Sequence, residues 1–227
     1  MPSAKSSRPM KEGWAAYLFL LPWFAGLFIL TAGPMLASLY LSFTDFDLLT
    51  ASEWIGLDNY VRMFTEDPHY RNALRVTFTY VFVSVPLTVA FALLLAVILN
   101  RGIRALGVYR SVYYLPSLLG GSVAIAIMWR QIFGGEGLVN QILGFFGIDG
   151  PSWVSTPDYA LYTLIILHVW QFGSPMVIFL AGLKQMPQEL YDAAAVDGAK
   201  TLDRFFKITV PLLTPLIFFN LVLQMIT

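Results

Sequence analysis

Cysteine is absent from the 227 residues, which excludes disulfides and thiolate metal sites. Histidine is almost absent: His69 and His168 stand far apart and make no metal-spaced cluster. Charge is scarce as well. Asp, Glu, Lys and Arg make up 12% of the chain and cancel to a formal net charge of zero, so no basic patch favours nucleic acid. A phosphate-cradling Gly-x-x-x-x-Gly-Lys run is missing, which excludes nucleotide hydrolysis by this chain itself. Gly173-Ser174-Pro175 lacks the flanking glycine of a nucleophile elbow, and His168 and Ser174 have no orienting acid nearby in sequence. No catalytic residue, bound cofactor or metal is expected.

What is present is hydrophobic. At 57% apolar residues and a mean hydropathy of +0.67, the composition is that of an integral membrane protein. Five apolar runs reach the ~20 residues that a spanning helix needs: about 14–41, 75–99, 111–133, 159–183 and 208–227. The first is too long for the ~7–15-residue core of a signal peptide and reads as an uncleaved span, kinked at Pro22 and Pro34. Between them lie a polar tail (1–13) and polar segments at 42–74, 100–110, 134–158 and 184–207. Glycine (17) and proline (13) are abundant, which membrane helices tolerate.

Positive charge orients the chain. With the N-terminus in the cytoplasm, inner segments hold ten Lys/Arg: Lys5, Arg8 and Lys11, then Arg101, Arg104 and Arg110, then Lys184, Lys200, Arg204 and Lys207. Only Arg62, Arg71, Arg75 and Arg130 fall to outer segments and span ends. The positive-inside rule therefore predicts outer loops at 42–74 and 134–158, and cytoplasmic segments at 100–110 and 184–207.

The most charged stretch runs from Pro187 to Pro211 and cannot lie in hydrocarbon. Its local chemistry predicts two short helices with a joint. Pro187 fits a first helical position, Glu189 and Asp192 follow near the positive end of the dipole, and Ala193, Ala194 and Ala195 favour helix. Gly198 suits the position after a helix end, and Thr201 can cap a second helix with Asp203 in its first turn. A stiff helix anchored at both ends to spans can transmit a push.

The spacing Asp192-Ala193-Ala194, three residues, Gly198, nine residues, Ile208, one residue, Val210-Pro211 resembles the cytoplasmic signature of permease subunits of bacterial ATP-binding-cassette importers, with Asp192 in place of Glu and Val210 in place of Leu. Gly56-Leu57-Asp58-Asn59-Tyr60, Tyr109-Arg110 with Leu115-Pro116, and Gly137-Leu138-Val139-Asn140 with Trp153 resemble further elements of the carbohydrate-type members. The resemblance implies an all-α helical bundle of the type I importer transmembrane domain in a bacterial inner membrane, with a sixth span missing after Thr227. It implies that Asp192, Ala193, Ala194, Asp197, Gly198, Ala199, Ile208 and Pro211 form the contact with a separate ATPase subunit, where ATP and Mg would bind. The implied partners are a second, similar permease chain, two ATPase subunits and an extracytoplasmic solute-binding protein, within a lipid bilayer and without nucleic acid. The implied cargo is a sugar, an oligosaccharide or glycerol phosphate.

Polar residues inside spans are candidates for the substrate path. His168, Gln171 and Ser174 recur at i, i+3 and i+6 with Trp170 alongside, and Asn220 and Gln224 form an i, i+4 pair. Such a set offers donors, acceptors and an aromatic face to a sugar; the alternative is that it joins helices by hydrogen bonds. An ion-coupled secondary transporter is the rival function, and would need an ionisable residue inside a span, for which His168 alone qualifies. An intramembrane enzyme would need an acid/base or metal set that the sequence lacks.

Overall fold

The computed structural model describes residues 12–47, 52–102 and 105–226, so the tail through residue 11, Arg104 and Thr227 lie outside the described residues. Regular structure among the described residues is helical apart from one two-residue antiparallel ladder, in which β1 (Thr44–Asp45) pairs β2 (Glu53–Trp54) with Thr44 opposite Trp54. The chain divides into two units, residues 1–73 and 74–227.

In the first unit, α1 (Glu12–Gly26) passes through a π-helical stretch, Leu27–Ala32, into α2 (Gly33–Leu41). At Pro34 the helix carries a wider turn that ends just before the proline, whose ring cannot fit under an ordinary helical carbonyl, whereas Pro22 lies within α1. The 42–74 segment is more structured than a polar loop. It holds the ladder, α3 (Asp58–Thr65) and the start of α4 (Pro68–Leu99). That helix begins seven residues before the predicted span because Pro68 suits a first position, with the Asp67 carboxylate accepting from the His69 N–H at 2.8 Å. The Gly-Leu-x-Asn-Tyr element closes the segment on itself. Asn59 Nδ2 donates to the carbonyls of Ser42 and Thr44, each at 3.0 Å, Tyr60 Oη bonds Ser42 Oγ at 2.6 Å, and Trp54 stacks on Phe43.

In the second unit, the predicted third span is a broken one. It comprises α5 (Leu106–Leu119) and α6 (Val123–Phe133), and the axis turns by 99° between Leu106–Leu119 and Val123–Phe145. Gly120 and Gly121 remove side-chain restraint at the break, and Ser122 restarts the helix by accepting from the Ile125 N–H. Next come α7 (Leu138–Phe145), α8 (Pro157–Trp170) and α9 (Gly173–Lys184), the last two forming one membrane-length run with a defect at Gln171–Phe172. Pro175 supplies no N–H there, and the Gln171 and Phe172 amides bond back to His168 and Val169 over three residues instead of four.

After α10 (Gln188–Val196) comes a correction. The predicted second short helix is the first turn of the last span: α11 (Thr201–Arg204) continues through a π-helical stretch, Phe205–Thr209, into α12 (Val210–Ile226). The run Thr201–Ile226 is one membrane-length helix, seven residues longer at its start than the predicted span. Its π turn again ends just short of a proline, Pro211.

Among the described residues four helices are long enough and apolar enough to cross a membrane, or five with the broken pair counted as one. Lipid-facing apolar side chains gain nothing by burial in protein, so packing rests on backbone approach. On α4, Ser84, Thr88, Ala92 and Ala96 make a fully buried i, i+4 row of small residues, and Ala92 and Ala96 join Met176, Phe179, Leu180 and Leu183 of α9 in the core. Leu213 of α12 joins the same cluster. Gly182 gives α12 room, since a Cβ there would run into Leu216, and Gly173 does the same for α5 beneath the Tyr113 carbonyl.

Candidate functional site

Backbone chemistry shapes the 187–207 segment. Pro187 caps α10 in an extended conformation (φ −61°, ψ 120°) one residue outside the position predicted for it, and Glu189 sits in the first turn. At the other end Gly198 has φ +76°, a left-handed conformation in which a side chain is strained. Its N–H bonds the Ala195 carbonyl at 3.1 Å and the Ala199 N–H bonds the Ala194 carbonyl at 2.9 Å, the paired closure of a Schellman end. Lys200, with extended backbone, precedes the next helix, so Thr201 is its first residue and makes no side-chain cap.

One face of α10 is held to its own chain. Tyr191 Oη bonds Thr209 Oγ1 at 2.9 Å in the π turn and reaches Met186 Sδ, and Ala194 is half-covered. Asp192, Ala193, Ala195, Asp197 and Gly198 are exposed, and Val196 is 89% exposed. Asp192 accepts from Gln188 Nε2 at 3.2 Å, and Asp203 pairs with Lys207 at 3.2 Å on the surface, where such a pair contributes at most ~0.5 kcal/mol. Ile208 lies half-buried within the π turn and Pro211 is exposed beyond it.

The polar residues predicted from the spans converge. His168, Gln171 and Ser174 line a cavity of about 290 Å³ together with Asn220 and Gln224 of α12. Asn220 is fully buried, its Nδ2 donating to the Leu216 carbonyl at 3.0 Å while Oδ1 meets no partner. His168 Nε2 is also buried and meets no close acceptor or donor, although the Gln224 side chain lies beside the imidazole, and Tyr80 of α4 stands edge-on to it with ring centres 5.6 Å apart. Buried polar atoms left open in this way invite water or a ligand. Trp170 is a correction to the predicted grouping. Two residues from His168 is 200° around a helix, and its ring instead lies 6.1 Å from Trp129, beside an apolar cavity. Ser117 of α5 lines the polar cavity and was missed by sequence reasoning. The only pointer to it was a hydroxyl next to Pro116 in a span.

The 134–158 segment turns on Asn140. Its Nδ2 lies 2.8 to 3.0 Å from the carbonyls of Gly135, Gly150 and Pro151, and its Oδ1 accepts from Trp153 Nε1 at 2.7 Å. Among the described residues no group of three metal-ligating side chains assembles.

Comparison with known proteins agrees with this architecture. Residues 69–227 match the family described as the binding-protein-dependent transport system inner membrane component. The chain is 55% identical over 224 residues to the "Probable ABC transporter permease protein YesP" of Bacillus subtilis (strain 168), covering 98% of this chain and 72% of that protein. It is 32% identical to the trehalose/maltose transport system permease protein MalF of Thermococcus litoralis, covering 95% and 74%. In three dimensions it aligns with a chain of a bacterial ABC transporter that imports the acidic polysaccharide alginate, with a TM-score of 0.79 at 26% identity over 95% of this chain and 73% of that one. The chain therefore belongs to the binding-protein-dependent inner membrane components, as a non-catalytic, multi-pass permease subunit of an ATP-binding-cassette importer.

Proposed function

We propose that this permease carries a carbohydrate or glycerol-phosphate cargo and couples to its ATPase through α10. The observation that carries the coupling is the exposed face of a short helix closed at Pro187 and Gly198 and latched to the last span by Tyr191. Asp192, Ala193, Ala195 and Val196 are then free to enter a cleft of the ATPase, while the Tyr191–Thr209 bond passes its displacement to α12. The positive charge of the 184–207 segment supports a cytoplasmic placement, with the N-terminus on the same side. The polar cavity bounded by His168, Gln171, Ser174, Asn220 and Gln224 contributes to the path, its buried His168 Nε2 and Asn220 Oδ1 offering hydrogen bonds to hydroxyl groups. The kinship with sugar permeases supports that class of cargo. A second permease chain, two ATPase subunits and an external solute-binding protein complete the assembly.

The chain has no cysteine, so a single Val196→Cys substitution gives a unique thiol. The expected outcome is a cross-link to the ATPase subunit and labelling by an impermeant maleimide in inside-out vesicles alone. Labelling in intact cells, with no cross-link, would reject both the orientation and the docking. Uptake that needs ATP and resists protonophores distinguishes this reading from ion-coupled transport.

A further inference from the structure

A cavity of about 320 Å³ lies where three membrane-length helices end. Asn100 and Arg101 contribute from just past the end of α4, Met186 from the turn after α9, Gln188 from the start of α10, and Thr201 and Arg204 from the start of the last span. Two arginines therefore line one space, and no Asp or Glu lines it among the described residues. On the helices that flank it, Asp192 accepts from Gln188 and Asp203 pairs with Lys207. Tyr191 and Thr209 on the wall bond to each other. Arg204 Nε is buried and has no hydrogen-bond partner, and neither Arg204 nor Arg101 forms an ion pair among the described residues. A buried charged donor without an acceptor is costly, and a pair of forked donors facing a space without carboxylates matches a tetrahedral oxyanion.

We propose that this cavity is a binding site for a phosphate group, held between Arg101 and Arg204. Its position at the ends of spans is the level of lipid headgroups, and basic pockets between transmembrane helices recognise anionic lipid phosphates there. A soluble phosphate offers the same chemistry. The site is separate from the exposed face of α10, and its occupancy does not require the docking reading to hold.

The test uses the full chain in non-ionic detergent with its co-purifying subunits, followed by thermal unfolding during titration with phosphatidylglycerol, phosphatidylcholine or inorganic phosphate. Phosphatidylglycerol is expected to raise the transition saturably, and phosphatidylcholine to do so far less. Arg204→Gln and Arg101→Gln should each weaken the apparent affinity about tenfold or more, with Arg204→Lys between, because an ammonium lacks the fork. Without a probe, Arg204→Gln should melt no lower than the parent, since no internal partner is lost; a purely structural arginine would behave otherwise. A response to inorganic phosphate that matches the lipid assigns the site to a soluble anion, and a response to lipid alone assigns it to a headgroup. Either supports the proposal. An unchanged lipid response in the Arg101→Gln/Arg204→Gln double variant overturns it. So does a parent protein that responds to neither phosphate probe while the double variant loses subunit association, which would give the two cations to a protein carboxylate instead.

Discussion

The 134–158 and 187–207 segments both join helices outside the apolar spans, yet they are built by opposite means. The first is closed by side chains: the Asn140 carboxamide gathers three carbonyls and the Trp153 indole, and Trp153 packs edge-on against Tyr159. Its polar side chains are spent on its own backbone. The second is closed by backbone geometry, with a proline before the helix, a left-handed glycine after it and one tyrosine hydroxyl as a latch. Its side chains remain outside, and Val196 is almost fully exposed. The first kind of segment holds a shape by itself. The second holds a shape while leaving one face of α10 exposed.

Asn140→Ala should break the first segment most severely. It removes the acceptor of Trp153 and the donor to three carbonyls, at a cost of about 3 kcal/mol, read as a lower thermal transition of the purified protein. Gly198→Val should cost less, about 2 kcal/mol, because only the left-handed turn is strained. Its functional effect should nevertheless be the larger: uptake and ATPase co-purification are lost while membrane insertion is kept. Full uptake by that variant would sink the contrast drawn here. Tyr191→Phe deletes the Thr209 bond at a cost of about 1 kcal/mol; ATPase co-purification should persist while uptake falls. Val196→Asp should change stability by less than about 0.5 kcal/mol and yet weaken co-purification, since only the free face is altered. A Val196→Asp protein that melts early would show that the face is already used within the chain.

The helical class, the apolar runs and the closing glycine were legible because they depend on local rules. Composition forces helices in lipid, and Gly198 sits where its φ of +76° is needed. The helix starts were harder. Pro68 and Thr201 open their helices seven residues before the hydropathy does, because a helix continues past the hydrocarbon wherever its cap allows. In the third span Gly120, Gly121 and Pro116 permit a bent or closely packed helix, but only the structure shows an axis that turns by 99° after Leu119. For the polar cavity, residue spacing grouped His168, Gln171 and Ser174, but could not bring them to Asn220 and Gln224, nor add Ser117. Those pairings belong to helix packing. Asn59 and Asn140 were recognised only as motif positions, because a carboxamide's partners are set by how the loop closes.

The sequence by itself determined the medium and the local shapes: its apolar runs require lipid, its charged segment requires water, and its prolines and glycines say where helices start, widen and stop. The tertiary structure alone decided which faces meet. It set the Ser84-to-Ala96 row of α4 into the core with α9, left one side of α10 open, and brought two arginines from distant helices to one cavity. The physical reason is that each helix in lipid is nearly indifferent to rotation about its own axis until small residues let a neighbour approach.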